Sequence, residues 1–168
     1  MKKIGLILLA LVSSMSAFSQ GKDVVDIAIG SADHTTLVAA VKAADLVTTL
    51  KSAGPFTVFA PTNVAFDKLP EGTVANLLKP ENKAQLSKIL TYHVVSGNLD
   101  AAAVLDAIKK GNGKVVLTTV SGGKLTASLD MGKVKLTDES GKSAFVTVAD
   151  LKGTNGVIHV IDGVVLPK

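Results

Sequence analysis

The stretch Gly54-Pro55-Phe56-Thr57-Val58-Phe59-Ala60-Pro61-Thr62-Asn63-Val64-Ala65-Phe66 decides the fold, because it predicts the end of a strand and the start of a helix. Apolar side chains at positions 56, 58 and 60 recur at the two-residue period of a strand. Pro61 can neither donate a hydrogen bond to a sheet nor follow a helical residue comfortably, so the strand ends there. Thr62 or Asn63 then offers the side-chain oxygen that caps the next helix.

Outward from this junction, the periodicity of apolar residues divides the chain into a helical first half and a strand-rich second half. The predicted helices cover residues 33–52, 64–69, 73–78, 80–90 and 101–110. The predicted strands cover residues 115–120, 124–129, 134–137 and 145–149, which are joined by glycine-containing turns as hairpins in series. Helices followed by antiparallel strands are typical of the α+β class.

Two further stretches carry recognisable motifs. Tyr92-His93 lies between Ile89-Leu90-Thr91 and Val94-Val95-Ser96-Gly97, and Gly153-Thr154-Asn155-Gly156-Val157-Ile158-His159-Val160-Ile161-Asp162-Gly163-Val164-Val165-Leu166-Pro167 closes the chain. With the 54–66 junction, these stretches resemble, in order and separation, the signatures of the fasciclin-type domain family. The resemblance implies a fasciclin-like α+β fold, an antiparallel β-sandwich or wedge of two sheets with several helices packed along one side.

The first 19 residues have the features of a secretory signal peptide. Two lysines precede an apolar run over residues 4–12 and the small-x-small cleavage site Ala17-Phe18-Ser19. A retained membrane anchor is the alternative, but nine residues fall short of the roughly 20 that span a bilayer. We therefore expect residues 20–168 to form a single fasciclin-like domain that is exported, without a transmembrane segment after cleavage.

The composition bears on the classes of partner. The chain has no cysteine and no arginine, and all 18 basic residues are lysine. Without the planar guanidinium group, paired contacts to phosphate, guanine or carboxylate are lost, and the lysines are spread along the chain, so nucleic-acid binding is not expected. Tyr92 is the one tyrosine and tryptophan is absent, which leaves few aromatic rings for stacking on sugars or bases.

No familiar catalytic or metal-binding arrangement is visible. The histidines, His34, His93 and His159, lie far apart in the sequence, and no thiol is present to complete a zinc site. The serines are not in a Gly-x-Ser-x-Gly elbow, and no stretch has the form of a phosphate-binding loop. We expect no catalytic residues, no metal and no cofactor, and hence a protein that is not an enzyme.

Tyr92 and His93 are the candidate binding residues, on the family resemblance alone. The corresponding Tyr-His pair in animal members is associated with integrin recognition and adhesion. Their apolar neighbours instead favour burial of both rings, with the polar tips bonded to the backbone. Both alternatives stay open at this point.

Four other residues are interpreted as structural. Thr62 and Asn63 are expected to hold the strand-to-helix corner through side-chain to backbone hydrogen bonds. His159 is expected to be a buried core imidazole, and Asp162 begins a tight turn or bulge with Gly163. The chain departs from the family at Val64, where an acidic or polar residue is common, and without arginine it cannot contain an Arg-Gly-Asp tripeptide.

The leading functional hypothesis is a secreted or periplasmic, non-enzymatic adhesion or interaction module. Its partner would be an extracellular or envelope protein or a cell-surface glycan, and the chain would be periplasmic, bound to the cell surface or released. The alternative is a small-ligand-binding protein that uses an apolar cleft between helices and sheets. The sequence does not decide the oligomeric state.

Overall fold

The structure is a computed structural model that describes residues 21–168. The predicted signal peptide over residues 1–19 lies outside the described residues. Within them the helices are α1 (Val24–Ile29), α2 (Thr35–Ala43), α3 (Val47–Lys51), α4 (Asn63–Asp67), α5 (Thr73–Leu77), α6 (Lys83–Tyr92) and α7 (Ala101–Lys110), with short 3₁₀ helices at Ala32–His34 and Pro80–Asn82. The strands are β1 (Phe56–Pro61), β2 (Val94–Ser96), β3 (Lys114–Thr118), β4 (Lys124–Asp130), β5 (Lys133–Thr137), β6 (Ser143–Gly153) and β7 (Gly156–Ile161).

The helix predicted over residues 33–52 is divided into α2 and α3. Asp45 adopts a positive φ of 56°, which interrupts the helix, and the N–H of Leu46 then bonds to the carbonyl of Val41. Helix α1 was not predicted. It has only six residues, which are too few to show a clear helical period. It is stabilised by a capping box in which the side chains of Asp23 and Asp26 each accept from the other's backbone N–H.

The strands form one mixed sheet of seven in the order β2-β1-β7-β6-β5-β4-β3, so the predicted sandwich of two sheets is not confirmed. An isolated bridge between Val95 and Thr119 brings the two ends of this sheet together, and the sheet is nearly a barrel. The expectation of a purely antiparallel arrangement is wrong for one pair of neighbours, because β1 and β7 pair in parallel. Both strands are mostly apolar, and every residue after the first of each is buried, as in strands covered on both faces.

Strand β6 allows one sheet to curl. It is eleven residues long and pairs with both β5 and β7, with irregular register between Val146 and Val148 and again between Val148 and Leu151. Asp150, within the second irregularity, has a positive φ of 61°. Bulges of this kind bend a strand and increase its twist.

Two apolar clusters flank the sheet, and strands β1 and β7 contribute alternate residues to each. The helix-side cluster packs α1 to α6 on the sheet and includes Leu37, Val41, Val58, Ala60, Leu90 and Ile158. The barrel-side cluster fills the curled sheet under α7 and includes Phe59, Tyr92, Ile108, Leu117, Leu125, Leu136 and Ile161.

Candidate functional site

Tyr92 ends α6, and its ring is completely buried in the barrel-side cluster. Its hydroxyl donates a hydrogen bond to the carbonyl oxygen of Lys124 at 2.6 Å and accepts one from the N–H of Glu139 at 3.3 Å. Burial raises the pKa of this hydroxyl above its ordinary value. The ring also explains Gly123, where an added Cβ would lie 2.7 Å from Tyr92 Cε2. Tyr92 therefore fastens α6 to β4 and to the turn between β5 and β6.

His93 follows directly and connects α6 to the C-terminal segment. Its side chain is buried, Nδ1 donates to the carbonyl of Ile89 at 2.8 Å, and Nε2 accepts from the N–H of Val165 at 3.3 Å. Because the Val165 N–H can only donate, the proton of the neutral ring is assigned to Nδ1. Burial lowers the pKa of His93 to about 4, so the ring is neutral at pH 7. The backbone carbonyl of His93 accepts from the N–H of Phe59 at 2.9 Å.

These contacts bear on the binding role that the family resemblance implies. The side chains of Tyr92 and His93 are 0% and 2% exposed, and each of their polar atoms already has a partner on the backbone. A partner molecule can reach those atoms only if the surrounding segments move. Direct recognition by Tyr92 and His93 stays a prediction, whereas their contribution to the packing of the fold is visible in the contacts.

Asp138, like His93, bonds to the C-terminal segment, although the sequence indicated only a turn there. Its Oδ1 accepts from the N–H groups of Ser140 and Lys142, both at 2.9 Å, and its Oδ2 accepts from the N–H of Leu166, also at 2.9 Å. An aspartate at the first position of a turn is a signal for the two local bonds. The bond to Leu166 spans 28 residues, and no local sequence pattern indicates it. Leu166 follows Val165, whose N–H donates to His93.

The strand-to-helix corner at Pro61 is held by two neighbouring side chains. Thr62 Oγ1 accepts from the N–H of Ala65 at 3.2 Å and caps α4. Asn63 turns the other way, since its Oδ1 accepts from the N–H of Thr36 at 3.0 Å and its Nδ2 donates to the carbonyl of Ala32 at 3.0 Å. Thr62 thus caps α4, whereas Asn63 bonds to backbone groups in and just before the first turn of α2.

His159, in β7, is buried and lies on the barrel side. Its Nε2 donates to the carbonyl of Leu99 at 2.6 Å, and its Nδ1 accepts from the N–H of Asp150 at 3.3 Å. The ring stacks on Phe59 with 5.6 Å between the ring centroids. His159 therefore links β7 to the segment before α7 and to the irregular part of β6.

Asp162 follows β7 directly and bonds to the start of β6. Its Oδ1 accepts from the N–H of Phe145 at 2.8 Å, and its own N–H donates to the carbonyl of Phe145 at 3.1 Å. The Asp162 carbonyl accepts from Lys68 Nζ at 2.6 Å. The carboxylate is thus bonded within the sheet.

Asn155 lies in the turn between β6 and β7 and has a structural role that its place in the C-terminal motif did not indicate. Its Nδ2 donates to the carbonyls of Leu50 at 2.7 Å and Ser52 at 3.0 Å, and its Oδ1 accepts from the N–H of Val24 at 3.0 Å. One side chain in the β6–β7 turn therefore satisfies the end of α3 and the start of α1. An asparagine between glycines indicates a turn, but it gives no sign of these distant partners.

The arrangement fixes backbone groups and offers no cluster for metal chemistry. Among residues 21–168, no three or more histidine, aspartate or glutamate side chains are grouped to hold a metal ion. The buried histidines lie in separate places, with His34 Nδ1 bonded to Ser31 Oγ at 2.8 Å. That the chain has no catalytic residue, metal or cofactor stays a prediction.

An apolar cleft lies between the first three helices and the sheet. Its lining includes Val25, Leu37, Val41, Val58 and Ile158, and its volume is about 40 Å³. Pockets that enclose drug-sized molecules usually measure ~300–1,000 Å³. In this conformation the cleft admits only a very small apolar group.

None of the helices in the described part of the chain has the length and apolar character needed to cross a membrane.

Comparison with known proteins identifies the family. The model of the fasciclin domain matches residues 32–167. Protein sll1483 of Synechocystis is 51% identical over 156 residues, which cover 93% of this chain and 79% of that protein. The pig transforming growth factor-beta-induced protein ig-h3 is 38% identical over 149 residues, covering 86% of this chain but only 19% of that protein.

A solved structure is similar to the fold. It contains a pair of FAS1 domains from the insect cell adhesion molecule Fasciclin I and aligns with a TM-score of 0.76 at 19% identity. The alignment covers 86% of this chain and 51% of that one. By sequence and by fold, the chain belongs to the fasciclin domain family.

Proposed function

We propose that this protein is an exported, non-enzymatic adhesion or interaction module that binds a protein or a glycan of the cell envelope or extracellular surroundings. The observation that carries the proposal is the fasciclin match over residues 32–167, together with the cell adhesion molecule whose domains have this fold. Oligomeric state is not part of the proposal.

The hydrogen bonds of the buried polar side chains favour a binding module over an enzyme. In the described residues, the buried side chains of Tyr92, His93, His159 and Asp138 each bond to the backbone of another segment, His93 through the N–H of Val165. A catalytic group needs to reach a substrate, and these groups are committed to holding the fold. The exposed surface is then the part of the molecule that is left for recognition.

Export is part of the same proposal. The signal peptide over residues 1–19 would deliver the mature chain, residues 20–168, to the periplasm, the cell surface or the medium. Mass spectrometry of the protein recovered from an expressing bacterium tests this step directly. A mature N-terminus at Gln20 supports it, whereas a chain that retains Met1 contradicts it.

Adhesion itself is tested with the exported protein coupled to beads. Retention of these beads on whole cells and on extracted envelope material is compared with that of beads carrying heat-unfolded protein and a carrier of equal net charge. We expect the folded protein to be retained best. Equal retention of all three would contradict an adhesive function.

The apolar cleft beside α1, α2 and α3 supports a second candidate, the binding of a small apolar ligand. Native mass spectrometry of the purified protein tests it. A bound species that disappears in the variant Val41→Phe, which fills the cleft, would favour this candidate. A spectrum with the protein mass alone, before and after incubation with short-chain alcohols, would contradict it.

A further inference from the structure

The strand register collects lysines that are scattered in the sequence. In β3, β4 and β5 the buried residues Leu117, Leu125 and Leu136 point inward, so the residues that alternate with them point outward. Lys124 pairs with Thr118, Lys114 with Ser128, Ser128 in turn with Lys135, and Asp130 with Lys133. We call the outward surface that carries Lys114, Lys124, Lys133 and Lys135 the lysine face.

The lysine face is open and positively charged. Lys114, Lys124 and Lys133 are exposed, and across residues 21–168 none of their ammonium groups lies within 4.0 Å of a carboxylate. Helix α7 contacts β3 and β4 from the inside, through Val104 and Ile108 in the barrel-side cluster.

Two acidic residues reduce the charge without cancelling it. Asp130 is bonded to Lys135 at 3.3 Å. Glu139 lies at the edge, where its carboxylate accepts from the N–H groups of Lys124 and Lys168. Four lysines against two carboxylates leave the face cationic, and adjacent strands ~4.8 Å apart put Lys114 and Lys135 roughly 10 Å apart at their Cα atoms.

Hydroxyl groups and one aromatic ring lie among these charges. Thr126 and Thr137 face each other across β4 and β5, between the lysines, and both are partly exposed. Phe145 pairs with Lys135 at the border of the face, and the Lys135 ammonium lies 6.0 Å from the centre of its ring. Hydroxyls that both donate and accept, with a ring edge beside them, suit a polymer that carries hydroxyl groups as well as negative charges.

We propose that the lysine face binds an anionic polysaccharide, a sugar chain that carries carboxylate or sulfate groups. The inference rests on the proposed function. It narrows the partner to anionic polysaccharides and the binding site to the lysine face. Lysine supplies point charges on flexible stems, which suit irregularly spaced anions, whereas the paired contacts that read guanine in a nucleic acid favour arginine. The absence of arginine from the chain therefore favours a polysaccharide over a nucleic acid.

The test compares two variants of equal net charge. One variant changes Lys114, Lys124, Lys133 and Lys135 to glutamine. The control changes four exposed lysines outside the face, Lys22, Lys42, Lys79 and Lys109, to glutamine. Binding of each exported protein to immobilised alginate and to dextran sulfate is measured against neutral dextran, at low and at physiological ionic strength.

We expect wild type and control to bind the two anionic polymers, more weakly as salt rises, and the lysine-face variant to lose at least about tenfold in affinity. Preference for alginate or for dextran sulfate distinguishes carboxylate from sulfate. Equal losses in the two variants, absence of wild-type binding to both polymers, or tighter binding to duplex DNA than to either would each overturn the proposal. Thermal melts of the variants verify that both are folded.

The bead assay separates this proposal from the proposed function. If the lysine-face variant binds both polymers as well as the control does, and the wild type adheres to cells, the adhesive function stands. The assignment of polysaccharide binding to the lysine face is then wrong. If polymer binding depends on the lysine face while no sample adheres to cells or envelope material, the surface stands and the adhesive function fails.

Discussion

The helix-side and barrel-side clusters share the strands β1 and β7, yet they are closed in different ways. On the helix side, helices cover the sheet, and the amides of Asn63 and Asn155 satisfy helix ends from a distance. On the barrel side, the sheet curls over its own core, and the buried rings of Tyr92 and His159 bond to backbone carbonyls. The outer faces of β3, β4 and β5 are therefore left for solvent and for partners.

The largest expected loss of stability comes from a residue on the inner surface of the barrel, and it is compared with a change on the outer surface. Phe59 is fully buried and stacks on His159, so Phe59→Ala should lower the free energy of unfolding by about 3–5 kcal/mol. Val116 is 54% exposed on the outer face, and Val116→Ala should cost less than about 1 kcal/mol. Urea denaturation of both variants measures the difference, and similar losses would contradict the assignment of the two surfaces.

A second prediction concerns pH and the contact between His93 and the C-terminal segment. The pKa of His93 falls from 6.5 to about 4 because burial outweighs the favourable charge of Asp138. Between these pH values the unfolded chain binds a proton that the folded chain does not, so the free energy of unfolding decreases as the pH falls through this window. The decrease due to His93 should be on the order of 3 kcal/mol.

The variant His93→Gln isolates this contribution, because burial also lowers the pKa of His34 and adds a loss in the same direction. The slope of stability against pH between about 6.5 and 4 should be smaller in the variant than in the wild type. Parallel curves for the two proteins would mean that His93 is accessible to protons in the folded state.

On the helix side, Asn155→Ala should cost about 2 kcal/mol, because the change leaves the carbonyls of Leu50 and Ser52 and the N–H of Val24 without this partner. Thr154→Ala, at the exposed neighbouring position, is the matched control. Hydrogen exchange should locate the loss of protection in α1 and α3. Protection lost uniformly over the chain would show that the helix side does not open separately from the barrel.

Among the changes to buried side chains, the smallest effect is expected from Tyr92→Phe, which keeps the ring in the barrel-side cluster and removes only the hydroxyl. The loss of the bond to the Lys124 carbonyl should reduce stability by about 1 kcal/mol. Bead adhesion should be unchanged if the hydroxyl is purely structural. A loss of adhesion at wild-type stability would instead support the recognition role implied by the family resemblance.

Local patterns predicted the elements better than their arrangement. Helix α7 and the hairpins from β3 to β5 follow from short-range signals, and the structure has them at or close to the predicted bounds. The parallel pairing of β1 with β7 joins Phe56 to Gly156, and no local signal specifies a partner a hundred residues away. Strand β2, with only three residues, is too short for its period to be read.

The candidate site shows the same limit. The apolar flanks of Tyr92 and His93 indicated burial, but they could not name Lys124 or Val165 as partners. Asn155 and Asp138 had the composition of turns and gave no sign of their long-range bonds. The lysine face was invisible for a related reason, because the sequence order separates lysines that the register of β3, β4 and β5 puts side by side.

The pairing of β1 with β7 also has a consequence for how the chain matures. This pair cannot form until β7 has left the ribosome, and β7 contributes to both clusters, so neither core can be completed from the N-terminal part alone. Topologies dominated by such distant contacts fold slowly, on the order of milliseconds to seconds. If the chain is exported as proposed, this delay keeps it unfolded during synthesis, the state in which a secretion channel threads a polypeptide.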